Sequence, residues 1–411
     1  MKEKQNHVNR RNFLKKMGAV GLSSAFAGAA KAEPNTPMKK QETELPQVPK
    51  RKFGKTGVEV PCLSLGTAFN TIENQIILRK ALEWGVNYWD IAHNYSSGDS
   101  ERGVGKFLSR NPKLRKKLFI ATKASIFDEP LTADKLQKRL ETSFERLNTT
   151  YIDLYFGAHD LSDPAMLTDE LKQWVESAKK QKLIRFFAFS THKNMTECLT
   201  AAAGLGWIDA VMTSYNFRLM QDEQLQAAVD ACHKAGIALI AMKTQAHKVE
   251  SEKDKELANH FLQRGFTEGQ AKVKIVLEDK RFCSACVGVG RSNIAHLMLN
   301  IAAVLDKTKL TRADRDVFKK YAEATCSGYC AGCANICNSA LPDTPYVSEV
   351  MRYLMYYNSY GDRDRAKELF AELPASVRNR LLNTSYGAAE AMCPQNLPIG
   401  KLVAEAVSKL A

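Results

Sequence analysis

Asn87-Tyr-Trp-Asp-Ile-Ala-His-Asn-Tyr95 reads as a short apolar strand that ends on Asp90, followed by a loop that swings Tyr95 back towards it. The same design recurs downstream. Apolar strands end on Lys123, in Phe119-Ile-Ala-Thr-Lys123, and just before His159, in Asp153-Leu-Tyr-Phe-Gly-Ala-His159. Asp90, Lys123 and His159 lie 33 and 36 residues apart. That is close to one strand-plus-helix unit, about 31 residues when an eightfold barrel of roughly 250 residues is divided by eight. Polar residues at strand ends one unit apart converge on a single face.

Working outward, apolar runs recur near residues 62–65, 87–91, 118–122, 152–157, 184–189, 209–214, 236–242 and 282–287, which predicts eight strands. Amphipathic patterns lie between them, such as the segment from Asp134 that puts Leu136, Leu140, Phe144 and Leu147 on one side. Near-continuous apolar strands alternating with such helices call for a parallel sheet, and eight of them for an α/β fold of the (β/α)8 TIM-barrel type. A doubly wound open sheet is the alternative. Against it, no Gly-x-Gly-x-x-Gly follows the first strand. A small hairpin over residues 51–60 precedes the barrel, with Gly54 and Gly57 at its turn. Gln245 to Gln270 is a long charged insertion, read either as a lid or as a solvated loop with a helix.

The 411 residues divide into an N-terminal leader (1–32), a linker (33–50), the barrel (51–310) and a helical cysteine-rich tail (311–411). The net charge of +14 is uneven, since residues 1–32 carry seven Lys/Arg and one Glu. What remains is diffuse and belongs to solvated helix faces, so nucleic acid is not an expected partner. The leader has a basic head, a small-residue apolar stretch and Ala30-Lys31-Ala32 as a cleavage site. It is too short and too rich in Gly and Ala to span a membrane. Its Asn9-Arg10-Arg11-Asn12-Phe13-Leu14-Lys15 resembles the bacterial twin-arginine signal, which implies export to the periplasm and no stable membrane span after cleavage.

Asp90-x4-Tyr95, Thr122-Lys123 and Asp153-x5-His159 resemble the Asp, Tyr, Lys, His tetrad of the aldo/keto reductase superfamily. The resemblance implies hydride transfer between NADP(H) or NAD(H) and a small carbonyl or alcohol substrate. Chemistry supports the roles. The developing alkoxide needs a proton, and a phenol holds one at neutral pH. Lys123, kept charged by Asp90, favours the phenolate and so lowers the pKa of Tyr95; His159 donates a hydrogen bond to the carbonyl oxygen. The resemblance also implies cofactor contacts. Ser190 closes the fifth strand, followed by Thr191 and His192 where the family has asparagine; Tyr215 and Asn216 end the sixth, Tyr215 for stacking on the nicotinamide. Gly290, Arg291, Ser292 and Asn300 fall where the family binds the adenosine phosphate, with the arginine one place early and His296 in place of the usual Gln.

The tail carries Cys326-x3-Cys330-x2-Cys333-x3-Cys337 and, far downstream, Cys393-Pro394. Clustered cysteines with a distant Cys-Pro resemble bacterial ferredoxin. That implies a 4Fe-4S cluster on Cys326, Cys330, Cys333 and Cys393, with Cys337 as alternative ligand, and an electron-transfer partner. Zinc and disulfides remain alternatives. Cys283 and Cys286, three apart in the eighth strand, fall on opposite faces and read as packing. Met351-Arg-Tyr-Leu-Met-Tyr-Tyr357 reads as a helix packed on the barrel, or as a substrate lid. A second functional reading is a nucleotide-binding redox sensor, or a subunit of an exported redox complex, without turnover.

Overall fold

The computed structural model describes residues 45–125, 131–246, 252–289, 293–341 and 346–411. The leader, most of the linker, and Gly290, Arg291 and Ser292 lie outside them. A hairpin, β1 (Lys50–Lys52) and β2 (Glu59–Pro61), opens the described chain. Eight parallel strands then close into a barrel: β3 (Leu63–Gly66), β4 (Tyr88–Asp90), β5 (Phe119–Lys123), β6 (Ile152–Ala158), β7 (Ile184–Thr191), β8 (Ala210–Ser214), β9 (Ala238–Met242) and β10 (Phe282–Val287). β10 pairs with β3 to complete the ring, which excludes the open sheet.

Side-chain alternation sorts the strands into two apolar sets. Residues such as Leu154, Phe156, Ala188 and Ile240 fill the barrel, while Tyr155, Phe187 and Val211 pack outward under the helices. The helix Ala133–Leu147 shows why the sequence folds this way: Thr132 caps its start, and Leu136, Leu140 and Leu147 are buried on one face. Phe53 of the hairpin reaches the barrel interior and stacks edge-on at 5.1 Å from Phe119, so the end opposite the site is plugged. The hairpin turn needs Gly54, with φ +52, because a Cβ there would stand 2.3 Å from the Gly236 carbonyl oxygen.

The charged insertion is docked rather than solvated. In its helix Glu252–Gln263, Phe261 packs 4.8 Å from Phe318 and His260 binds Asp314 at 2.8 Å, both on the helix Arg312–Ala324 that follows the barrel. Helices Ala334–Ala340, Val347–Met355, Arg363–Glu372 and Ile399–Leu410 then build a second apolar core around Val350, Leu354, Phe370 and Val403. Among the described residues no helix is long and apolar enough to cross a membrane.

Candidate active site

Parallel pairing of β4, β5 and β6 brings Asp90, Lys123 and His159 to one end of the barrel. Lys123 Nζ lies 2.5 Å from Asp90 Oδ1 and donates to the Ile91 carbonyl at 2.8 Å. Both side chains are buried. Burial opposes the ammonium, but the Asp90 carboxylate and the Tyr95 phenol hold the Lys123 pKa above its ordinary value. Lys123 therefore stays charged.

Tyr95 follows β4 through a loop pinned from below by Arg146, which donates to the His93 carbonyl at 2.8 Å and pairs with Glu101 at 3.2 Å. Ser96, Ser97 and Gly98 all take positive φ, a local strain of the kind that concentrates at functional sites. The Tyr95 ring centre lies 4.9 Å from Lys123 Nζ and 6.3 Å from the His159 ring, edge to face. Burial pushes the phenol up to about 12; Lys123 pulls against that and Asp90 reinforces it. The expected lowering is thus correct for the contribution of Lys123 alone, and desolvation outweighs it. His159 is held well below its ordinary pKa by burial and by Lys123, so its imidazole is neutral. Its Nδ1 lies 3.1 Å from Ser125 Oγ, which is 2.9 Å from Asn94 Oδ1.

Two cavities adjoin this constellation. A groove of about 1030 Å³ runs from Gly66 and Cys286, beside Asp90, to His296 and Asn300, and tail residues Tyr360 to Asp364 form part of its wall. A cavity of about 520 Å³ opens from His159 beneath the tail helix Val347–Met355.

The expected cofactor contacts divide. Asn300 is buried at the groove, its Oδ1 accepting from Gln245 at 2.9 Å. Ser190 is buried and its hydroxyl accepts from the Asp160 backbone N–H at 3.1 Å, which leaves its own proton to donate. Tyr215 does not face the barrel mouth. Its ring stacks 4.1 Å from Phe282 and its hydroxyl donates to Asp279 at 2.7 Å, so it is structural. Asn216 is consumed as well: Nδ2 donates to Tyr329 of the tail at 3.0 Å, and Oδ1 accepts from Arg218 N at 3.1 Å. The strand-end position suggested a cofactor contact for both, but not which way either side chain would point.

The tail is fastened to the barrel rim by buried charge. Arg352 pairs with Asp160, which on the rim itself also bonds His192 at 2.7 Å, and Lys193 pairs with Glu349 at 2.5 Å. Lys243, at the end of β9, donates to the Tyr356 hydroxyl at 3.0 Å. The cysteine loop is clipped to the same rim, where Asn194 N–H donates to the Gly332 carbonyl at 3.0 Å, and Gly332, φ +84, fits where a Cβ would stand 2.2 Å from His192 O. Of these residues the sequence marked His192, standing where the family has asparagine, and the segment of Arg352 and Tyr356, read as packed on the barrel; Asp160, Lys193 and Glu349 carried no signal beyond being charged.

None of the ten cysteines forms a disulfide. Burial and the like charges of Cys333, Cys337 and Cys393 push the Cys330 thiol up to about 12, and Cys337, under burial, Cys333 and Cys393, reaches about 11. Cys337 and Cys393 belong to the tail's apolar core, with Cys330 packed against it. Cys333 caps the helix Ala334–Ala340 and Cys337 sits one turn on, whereas Cys326 belongs to the turn that ends the preceding helix. Among the described residues no three His, Cys, Asp or Glu side chains are gathered to hold a single metal ion. Cys286 also departs from expectation. A β-bulge between Phe282 and Ser284 turns both Cys283 and Cys286 to the barrel interior.

The Tyr95 loop gives a pH signature. Burial and the guanidinium groups of Arg146, Arg139 and Arg102 lower the His93 pKa from 6.5 to about 4. The unfolded chain takes up a proton below pH 6.5 that the folded chain refuses until about pH 4. Stability is therefore lost on acidification across that window. In urea titrations His93→Gln should flatten the pH dependence there; an unchanged slope would refute the assignment.

A profile of the aldo/keto reductase family matches residues 63–311. An aldo-keto reductase of Gibberella moniliformis is 31% identical over 207 residues, covering 49% of this chain and 60% of that protein. The NADP(+) aldo-keto reductase yakc of Schizosaccharomyces pombe is 27% identical over 211 residues, covering 47% of this chain and 60% of its own. The chain thus spans about 60% of the length of the curated relatives it matches. The solved holo form of an aldo-keto reductase from Bacillus halodurans superposes with a TM-score of 0.56 at 21% identity, over 67% of this chain and 96% of that one, a likeness of fold. The family profile runs from the first strand of the barrel to beyond its last, and the chain belongs to the aldo/keto reductase family.

Proposed function

We propose that this chain moves a hydride between a nicotinamide cofactor and a small carbonyl or alcohol substrate. Tyr95 is the acid in reduction and the base in the reverse. One observation carries the reading: a buried ammonium, Lys123, sits 2.5 Å from Asp90 and 4.9 Å from the Tyr95 ring, with His159 on the far edge of that ring. Such an arrangement can stabilise a phenolate when the proton leaves and can restore it afterwards.

The groove from Cys286 to Asn300 has room for a dinucleotide, and we assign the cofactor to it, NADP(H) in preference to NAD(H). The Schizosaccharomyces relative, whose printed name carries NADP(+), favours that choice. Asn300, in the wall of that groove, is the described residue that fits as a contact, and Ser190, Gly290, Arg291 and Ser292 stay proposed from the sequence. When bound, the nicotinamide supplies the hydride; orientation and the proton come from the protein. The substrate is assigned to the cavity beside His159. For His159 Nε2 to donate to a carbonyl oxygen, Nδ1 must accept the Ser125 hydroxyl proton, which is then withdrawn from Asn94 Oδ1.

Tyr95→Phe should cut aldehyde reduction by about 100-fold or more while leaving nucleotide binding intact. Because the phenol keeps its proton up to about pH 12, wild-type reduction should run level through the neutral range. Binding of nucleotide with no reduction by the wild type would favour the sensor instead.

For the tail we propose a 4Fe-4S cluster serving an electron-transfer partner, held by Cys330, Cys333, Cys337 and Cys393. Cys333 at the start of the helix Ala334–Ala340 with Cys337 one turn on, and Cys337, Cys393 and Cys330 in or against the tail core, support the choice over Cys326 in the preceding turn. Thiolates in so buried a place need a cationic centre to stay ionised. Anaerobically purified Cys326→Ala should keep bound iron and sulfide, and Cys337→Ala should lose them; the opposite pattern refutes this set. We also propose export on the twin-arginine route. Changing both Arg10 and Arg11 to Lys should leave the protein in the cytoplasm of a bacterial host, and periplasmic protein in that variant would count against it.

A further inference from the structure

Two buried oxygens beside the candidate catalytic ion pair lack a nitrogen or oxygen partner. Asp90 spends Oδ1 on Lys123, while its Oδ2 accepts nothing from any such donor. Ser64 Oγ, fully buried on β3, is in the same position. Orphaned polar atoms are rare in protein interiors, and an acceptor so placed calls for a donor of another kind.

The Cys286 thiol lies between them. Cys286 and Ser64 are register partners on the paired strands β10 and β3, and Gly66, two residues along β3, is the partner of Asp90 on β4. Gly66 has no side chain to interpose, and even a Cβ there would stand 3.4 Å from the Cys286 sulfur. The sulfur therefore reaches across β3 towards Asp90. The bulge at the start of β10 makes this possible, since without it Cys283 and Cys286 could not both face inward.

We propose that Cys286 is a positioning residue for the Asp90–Lys123 pair, donating its S–H to Asp90 Oδ2 and accepting at sulfur from the Ser64 hydroxyl. The chain Ser64, Cys286, Asp90, Lys123 then ends at Tyr95. Each link has a direction: hydroxyl to sulfur, thiol to carboxylate, ammonium to carboxylate. Burial and the neighbouring Asp90 raise the Cys286 thiol far above its ordinary pKa, so the proton needed for donation is present. A thiol is a weak donor, and that suits the place. A second cation on Asp90 would compete with Lys123, and no donor at all would leave a carboxylate oxygen buried without a partner. Cys286 also lines the inner end of the groove assigned to the cofactor, so the link sits where that site meets the ion pair.

The inference rests on the reading of Asp90, Lys123 and Tyr95 given above, and its test has a spectroscopic arm that needs no turnover. The S–H stretching band lies in an infrared window otherwise empty of protein absorption. Subtracting the spectrum of Cys286→Ala from that of the full-length wild type isolates the Cys286 band, expected at the lowered frequency of a hydrogen-bonded thiol. In Asp90→Asn, with its neutral and weaker acceptor, the band should move towards the frequency of a free thiol. A free-thiol band in the wild type, or a band unmoved in Asp90→Asn, overturns the proposal even if the enzyme is fully active. In the kinetic arm, Cys286→Ala should lower kcat for aldehyde reduction roughly tenfold, the equivalent of one hydrogen bond to a charged group, with KM unchanged. Cys286→Ser, which keeps a donor, should restore it. Equal losses in both variants would mark a packing role and refute the assignment. Absence of any turnover together with the lowered band would leave the link standing and sink the reductase reading.

Discussion

An ammonium ion buried at the mouth of an apolar barrel is the condition to which the rest of the site answers. Without a partner Lys123 would lose its proton or drag water in, since isolated charges are not tolerated in such surroundings. Asp90 supplies the partner at 2.5 Å and the Ile91 carbonyl a second acceptor. Removing one member of such a pair typically destabilises by about 3–5 kcal/mol, because the other is left uncompensated. The pair is thus both a structural joint between β4 and β5 and the origin of the field felt by Tyr95. Desolvation raises the phenol more than Lys123 lowers it, so the resting site holds its proton firmly.

Much of this architecture could be read in the sequence, for a specific physical reason. Strands buried on both faces must be nearly continuous apolar runs, and the residue that ends each run is exposed to the site. Asp90, Lys123 and His159 were visible for that reason, and the strands fall within about two residues of the runs that announced them. What was illegible depends on direction rather than position. Tyr215 stands at a strand end yet turns outward to Phe282 and Asp279. A single bulge in β10 reverses the parity by which Cys283 and Cys286 were sorted.

The tail was legible as helical and cysteine-rich, and Met351–Tyr357 as a helix packed on the barrel, but the charge pairs that hold it there were not, because long-range pairs leave no local pattern. Asp160, His192 and Lys193 come from the rim of β6 and β7, and Glu349 and Arg352 from the tail some 150 residues later. The tail forms part of the wall of both cavities beside the tetrad. Helices of the extension thus share with the barrel's own loops the task of enclosing the site.

The helix Val347–Met355 passes without a break into the π-helical turn Tyr356–Tyr360. Its Glu349 and Arg352 border the cavity beside His159, and Tyr360 borders the long groove. One continuous rod therefore touches both chambers, and neither can change shape at that wall without moving it. Reciprocity then fixes the form of any coupling carried through the rod: an effect of a ligand in one chamber on the affinity of the other is returned in equal measure.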